Sequence, residues 1–316
     1  MATRELTRRD VIGKYFLAQE GVLQSSWVDL VSNRLESDQG SEIIKMLSTA
    51  PPLESSLGGV TYRNLDVESV TITNNPYTTG FEILKTDMRR DKTGQLDIRL
   101  QDLAVKGISN WRKLLTDLVI NGETDLSADG SEFFSATHSH GDSGTQTNAL
   151  TSAEVTALDV TTATAPTAAE ASAAINGVIS EFYGLKDYHG EPIHEDASQF
   201  LVMCPTTFGG AFRSAINKDL LASTVGSFDN PLTGSEWKIE LAVNPRMDAM
   251  TTKFVVFRTD AATKAFIRQS EKEVEFYAIA EGSEWALENA THKYGISCNR
   301  GVGYGLWQMA LLGTFS

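Results

Sequence analysis

Apolar positions in the first fifty residues recur at helical spacing. Val11, Ile12, Tyr15, Phe16 and Gln19 share one side, and Ile43, Ile44 and Leu47 form a second short apolar stripe. Pro51-Pro52 ends that stretch. Residues 1–52 therefore predict an arm of short helices. Such an arm buries too little by itself and packs on the main body or on a neighbouring copy.

The pattern changes over residues 58–83. Val60-Thr61-Tyr62 and Val67 to Thr73 alternate and are β-branched, Asn74-Asn75-Pro76 is a turn signal, and Tyr77 to Ile83 resumes the strand pattern. This predicts a long hairpin with few large aliphatic residues, which has to lie on another surface. Over 95–121, Leu96, Leu100, Leu103, Gly107, Trp111, Leu114 and Leu118 recur every three or four residues, and Asn121-Gly122 supplies a stop. A helix of that length spans roughly 39 Å. Gly107 in its middle costs about 1 kcal/mol relative to Ala, which points to close approach of another backbone.

Residues 122–167 are rich in Gly, Ser, Thr, Asp and Ala and predict a long loop. A helix follows with Ala171, Ala174, Ile175, Val178, Phe182 and Leu185 on one face. Phe200 to Cys204 reads as a buried strand. Pro205-Thr206-Thr207 opens another helix with Thr206 or Thr207 as its cap. Strands are expected at Trp237 to Val243, Phe254 to Phe257, Ala265 to Arg268, Val274 to Ala280, Tyr294 to Asn299 and Gly303 to Leu312. The irregular alternation of helices and strands gives an α+β class.

Composition narrows the function. The chain has 316 residues, 41% of them hydrophobic, enough for a sizeable core, and a formal net charge of -14. That acidity argues against gripping nucleic acid or anionic membranes. Cys204 and Cys298 are the only cysteines, so no disulfide framework is expected and both read as small buried apolar residues in a reducing setting. The Val11 to Leu23 run is broken by Lys14, Gln19 and Glu20, so no signal peptide is expected. No run of about 18 apolar residues predicts a membrane span. A soluble protein made in the cytoplasm is the expectation.

Four motifs invite chemistry. Gly141-Asp142-Ser143-Gly144 carries the letters that surround a serine-protease nucleophile, but a triad needs a separately placed His and Asp, and His138 and His140 lie only a few residues upstream. His138-Ser139-His140 with Asp142 could begin a metal site. Its further ligands would have to come from His189 or His194, and the blander reading is a polar loop with chance histidines. Gly301-Val302-Gly303-Tyr304-Gly305 lacks the strand-helix context of a dinucleotide fingerprint and reads as a tight turn between strands. Arg89-Arg90-Asp91-Lys92, with Lys85, is the one local basic cluster and reads as solvated surface or an ion-pair partner rather than a DNA contact. No catalytic residue, cofactor or metal is assigned.

Four segments, in order, resemble the Mu-like phage major head subunit family. They are Asp129-Gly130-Ser131-Glu132-Phe133-Phe134-Ser135-Ala136-Thr137-His138, then Phe200-Leu201-Val202-Met203-Cys204-Pro205, then Trp237 to Pro245 with Asn244-Pro245 after the strand, and finally Lys293 to Gln308 with its Gly303-Tyr304-Gly305-Leu306-Trp307-Gln308 run. The resemblance covers roughly residues 60 to 315. It implies the Hong Kong 97-type shell fold, with an N-terminal arm (1–52), an E-loop hairpin (53–85), a spine helix and peripheral domain (86–150), an axial domain (151–263), a sheet return to the peripheral domain (264–300) and a last strand (301–316) back in the axial domain.

The resemblance further implies a structural major capsid protein of a phage virion. It would self-assemble into hexamers and pentamers of a head that encloses double-stranded DNA without binding it specifically. Inter-subunit contacts are expected from the E-loop through Tyr62, Arg63, Val70, Ile72, Tyr77 and Phe81. Portal, scaffold or protease and decoration proteins are the expected partners, with no membrane. As the sequence opens at Met1, scaffolding is expected from a separate protein. An encapsulin-type nanocompartment shell is the alternative within the same fold. A hydrolase or metal enzyme built on the 138–143 loop is the alternative from another class.

Overall fold

A computed structural model of the chain describes residues 14–15, 27–47, 67–90, 94–139, 141–223 and 226–316. Its first half contains α1 (Trp27–Val31), β1 (Ser32–Glu36), β2 (Ser41–Leu47), β3 (Val67–Thr73), β4 (Asn75–Leu84), α2 (Lys85–Arg90), α3 (Gln95–Asn121), β5 (His138–Ser139), β6 (Thr145–Gln146), β7 (Ala149–Leu150) and α4 (Ala168–Phe182). Its second half contains β8 (Gln199–Cys204), α5 (Gly209–Asn217), β9 (Leu220–Ser223), β10 (Gly226–Asp229), β11 (Lys238–Val243), β12 (Lys253–Arg258), β13 (Phe266–Ile279), α6 (Glu284–Asn289), β14 (Thr291–Tyr304) and β15 (Ala310–Thr314).

Two sheets organise these elements. One has four strands in the order β1-β13-β14-β4, and the other has five in the order β11-β8-β12-β15-β7. The larger core lies around the five-stranded sheet. The Phe200 to Cys204 run is buried on both faces and has both edges paired, with parallel β11 on one side and antiparallel β12 on the other. Helix α4 covers it with Ala171, Ala174, Ile175, Val178 and Phe182, all on one stripe.

Helix α3 bridges the two sheets. Its first turns pack Leu96 and Leu100 with Ala278, Ala280 and Tyr294 on the four-stranded sheet, and its last turns send Leu115 and Val119 into the larger core. Gly107 admits side chains rather than a second backbone: a methyl there would sit 3.3 Å from Ile296 Cδ1 and 3.5 Å from Val274. Its carbonyl accepts a hydrogen bond from Arg300 Nη1 at 2.7 Å, and the Arg300 guanidinium lies over the Trp111 ring at 4.5 Å.

Several expectations are corrected. Strands β3 and β4 do not pair with each other. Only Asn74 separates them, and one residue cannot reverse a chain. Strand β3 instead pairs antiparallel with β2, while β4 pairs antiparallel with β14. The hairpin limbs are therefore 41–47 and 67–73, and residues 75–84 belong to the four-stranded sheet. Ile43 and Ile44, read as part of a helical stripe, are in a strand, because a short run with β-branched residues fits either period. Nor is residue 32–36 part of a free arm, since β1 joins the four-stranded sheet parallel to β13.

The expected strands at 265–268 and 274–280 are one strand, β13, interrupted by bulges between Ser270 and Glu275. The expected turn at 301–305 is strand until Tyr304, and the chain turns at Trp307–Met309. Thr206 does not cap a helix. Its N–H and hydroxyl both donate to Asp248 Oδ1 at 2.8 Å, and α5 starts after a 3-10 turn with no side-chain cap. The 122–167 stretch is held by short strands and turns rather than left as loop. Val11, Ile12, Phe16, Gln19, Pro51, Pro52 and Val60 to Tyr62 lie outside the described residues.

Candidate assembly surfaces

Strands β2 and β3 form a ribbon that pairs, among the described residues, with no other strand. It is seated at its root on β14. A methyl group at Gly301 would meet Ile72 Cγ2 at 2.7 Å and the Thr73 carbonyl oxygen at 2.8 Å, and one at Gly303 would meet Ile72 Cδ1 and Cγ1 at 2.8 Å. The two glycines are spaced by two, so they share one strand face and leave a track on which Ile72 lies. This is why a Gly-x-Gly motif occurs in mid-strand. Outward from the root, the ribbon exposes Ile43, whose surface is 66% accessible.

The six residues expected at the E-loop contact separate on this geometry. Ile72 is corrected: it is 1% exposed, buried under its own chain, and is not a surface group. Val70 is half-buried beside Gly303. Tyr77 lies on β4 and lines a cleft against α3. Phe81 is half-buried with its ring 5.7 Å from that of Tyr294 in its own sheet. Tyr62 and Arg63 lie outside the described residues. Sequence reasoning did not single out Ile43, which is exposed beside half-buried Ile44.

The histidine loop is structural. The His138 ring lies flat on Trp307, centroids 4.0 Å apart and planes at 2°. Its Nδ1 is 2.6 Å from Asp129 Oδ2 and its Nε2 is 3.2 Å from Asn148 Oδ1. Asn148 is fully buried; its Oδ1 accepts the Ser135 N–H, and its Nδ2 faces the carbonyls of Phe133, Trp307 and Ala310. Two segments of the family resemblance, 129–138 and 303–308, thus meet in space. Both ring nitrogens of His138 are engaged, and the Ser143 Oγ donates to the Gly144 carbonyl at 3.1 Å. His140 lies outside the described residues. His194 is elsewhere. Its Nδ1 accepts from Arg258 Nη1 at 2.9 Å and its Nε2 donates to the Gln308 carbonyl at 3.0 Å. Burial, then the Arg258 charge, lowers its pKa to about 4. The described residues contain no group of three His, Cys, Asp or Glu placed to hold a metal ion, and no described helix is long and apolar enough to cross a membrane.

Arg258 itself is pinned by Asp260 at 2.6 Å and Asp196 at 2.7 Å. Both cysteines are free and buried, and burial pushes the Cys204 thiol up to about 12. These groups tie 193–196, β12 and the 307–309 turn together.

The chain matches the family described as "Mu-like prophage major head subunit gpT" over residues 13–167 and 227–314. No protein of curated function matches it by sequence. Among solved structures it is similar to the procapsid of bacteriophage JBD30, at 15% identity and a TM-score of 0.54, covering 98% of this chain and 75% of that one. It is also similar to the mature capsid of bacteriophage PhiM1 (9% identity, TM-score 0.58, 94% and 89% covered) and to the capsid of cyanophage P-SCSP1u (12%, 0.57, 93% and 88%). At these identities the structures establish the shared fold, of the Hong Kong 97 type, and the family match spans well over half of the chain. A ribbon seated on a glycine track, a long bridging helix and two sheets are thus the parts of a shell subunit, and the chain belongs to the Mu-like prophage major head subunit family, as a structural major capsid protein.

Proposed function

We propose that copies of this chain associate as hexamers and pentamers into a closed head that encloses packaged DNA, with the β2–β3 ribbon of each copy lying across a neighbour. The observation that carries this is the ribbon itself. Two strands that pair only with each other are marginal in water, and this pair, joined to no other strand among the described residues, rests on its own molecule at the root while presenting Ile43 to solvent. Val70 and Ile43 on the ribbon, with Tyr62 and Arg63 of the segment that joins its strands in sequence, are the contact residues we assign. Closure of repeated heterologous contacts, rather than chemistry, is the work the chain does. Assembly in the host cytoplasm, with portal, scaffold or protease and decoration proteins as partners, belongs to the same proposal.

The net charge of -14 sets two features. Like charge keeps the shell wall from gripping DNA, and it also makes copies repel, so salt should assist assembly. The test is electron microscopy and light scattering of the purified protein across concentration and ionic strength. Shells are expected, with onset at lower concentration in higher salt. Ile43→Asp should abolish shells while leaving the thermal melt of the monomer unchanged. A protein that stays monomeric under all conditions would refute the proposal.

A further inference from the structure

A cleft of about 550 Å3 opens between α3 and the edge of the four-stranded sheet at β4. Its size is that of a ligand site. Three exposed cations border it: Lys106 and Lys113, two turns apart on one face of α3, and Arg246 from the loop after β11. None has an ion-pair partner among the described residues. Buried Ile296 and Cys298 and half-buried Tyr77 make its inner wall. No carboxylate lines it. In a chain this acidic, three uncompensated cations around an apolar wall call for an occupant that is both acidic and apolar.

The same chain carries such a group at the far end of the sheet. Between β13 and β14, α6 presents Leu287, which at 69% is the most exposed large apolar side chain among the described residues. Glu284 and Glu288 flank it one helical turn apart, and Glu281 precedes them. All three are exposed without an ion-pair partner among the described residues. The knob cannot fill its own cleft. It sits just before Thr291, and the cleft wall is at Ile296 and Cys298, about 20 Å further along a paired strand.

We propose that this cleft is a socket for the α6 knob of a second copy, with Leu287 against the Ile296 wall and Glu284 and Glu288 among Lys106, Lys113 and Arg246. This rests on the shell function proposed above and names one of its contacts. A peptide knob suits the cleft better than a DNA backbone does. Phosphate contacts call for an open basic face that follows many charges, whereas this site is recessed, partly apolar and limited to three cations.

The test is a charge exchange. Lys106→Glu with Lys113→Glu, and separately Glu284→Lys with Glu288→Lys, should each raise the protein concentration needed for shell formation by about tenfold or more. The four changes together should return it most of the way. Lys186→Glu with Lys218→Glu, combined with the same two Glu→Lys changes, carries the same net charge and should not. Thermal melts of the unassembled variants report on folding. As a second measurement, in a Cys298→Ser background, Ser109→Cys with Leu287→Cys should give a ladder of disulfide-linked multimers on non-reducing gels of oxidised shells, and neither single change should. Shells that form normally with both charges reversed on either side, together with the absence of a ladder, overturn the socket alone. Unchanged assembly with loss of retained DNA in the Lys106→Glu, Lys113→Glu variant assigns the cleft to phosphate and overturns it as well. Wild-type protein that forms no shells overturns the function reading and the socket with it.

Discussion

Replacing Gly301 by alanine tests whether the ribbon seat is what the glycine motif is for. In a strand interior, Gly→Ala ordinarily stabilises by about 0.5–1 kcal/mol, because glycine loses more backbone freedom on folding. Here the added methyl would lie 2.7 Å from Ile72 Cγ2, 2.8 Å from the Thr73 carbonyl oxygen and 3.0 Å from Asn74 Oδ1. Carbon pairs settle at about 3.5–4.0 Å, so the overlap approaches one ångström and cannot be relieved by one rotamer change. Thr73 is held in the β2 ladder opposite Ser41, and the Asn74 N–H donates to the Gly40 carbonyl at 2.8 Å. Overpacking of this kind costs about 1–3 kcal/mol, so the sign of the usual effect reverses.

The neighbouring position separates side-chain from backbone obstruction. At Gly303 the obstacles are the Ile72 side chain at 2.8 Å and Val70 Cγ1 at 3.4 Å, with no backbone atom among the nearest three. Gly303→Ala should therefore be relieved by Ile72→Ala in the same chain, whereas Gly301→Ala should be relieved only in part, because the Thr73 oxygen stays. Ile72→Ala alone removes a buried side chain and should cost about 2–5 kcal/mol. The assay is denaturant unfolding of the unassembled protein for the two double-mutant cycles, with shell yield by electron microscopy beside it. A Gly301→Ala variant at least as stable as the parent, assembling normally, would refute the seat.

Further outcomes follow from the same geometry. Asn148→Ala should cost about 3 kcal/mol in denaturant unfolding, because it orphans the Ser135 N–H and the facing carbonyls at a buried position; a cost below about 1 kcal/mol would contradict that role. His194 has its folded pKa lowered from 6.5 to about 4, so its neutral form stabilises the fold above about pH 6.5. That contribution, at most about 3 kcal/mol, is lost as pH falls toward 4, when the unfolded chain takes up the proton. Stability against pH should flatten in that window for His194→Gln. Glu170 would be raised by burial, but N–H and hydroxyl donors on Thr161 and Thr167 hold it at about 2. Thr167→Ala should cost about 1 kcal/mol through loss of the capping box, read by thermal melting at neutral pH.

Much of the molecule was legible before any coordinates. The first half of the α3 stripe, the α4 face and the buried Phe200 to Cys204 run follow from periodicity, because long amphipathic or wholly apolar segments have few alternatives; beyond Gly107 the buried positions of α3 are Leu115 and Val119 rather than Leu114 and Leu118. The family resemblance carried the fold. Pairing partners were not legible, and the ribbon shows why. Residues 67–73 and 77–83 both read as strands around a turn signal, yet strand patterns specify a face and not a partner. The single residue between β3 and β4 sends them into different sheets. The Gly-x-Gly motif was read as a turn because glycine breaks strands as a rule; only a second strand crossing above it gives glycine a reason to sit in one.

The sequence by itself determined the class, the two long helices α3 and α4, the buried β8 run and the kind of protein, since these depend on local spacing, composition and ordered motifs. Tertiary structure alone decided that Asp129, His138, Asn148 and Trp307 meet, that Ile72 is seat rather than surface, and that Lys106, Lys113 and Arg246 share one cleft. Each of these joins residues far apart in the chain, and proximity of that kind is set by how sheets and helices pack rather than by the order of side chains along either one.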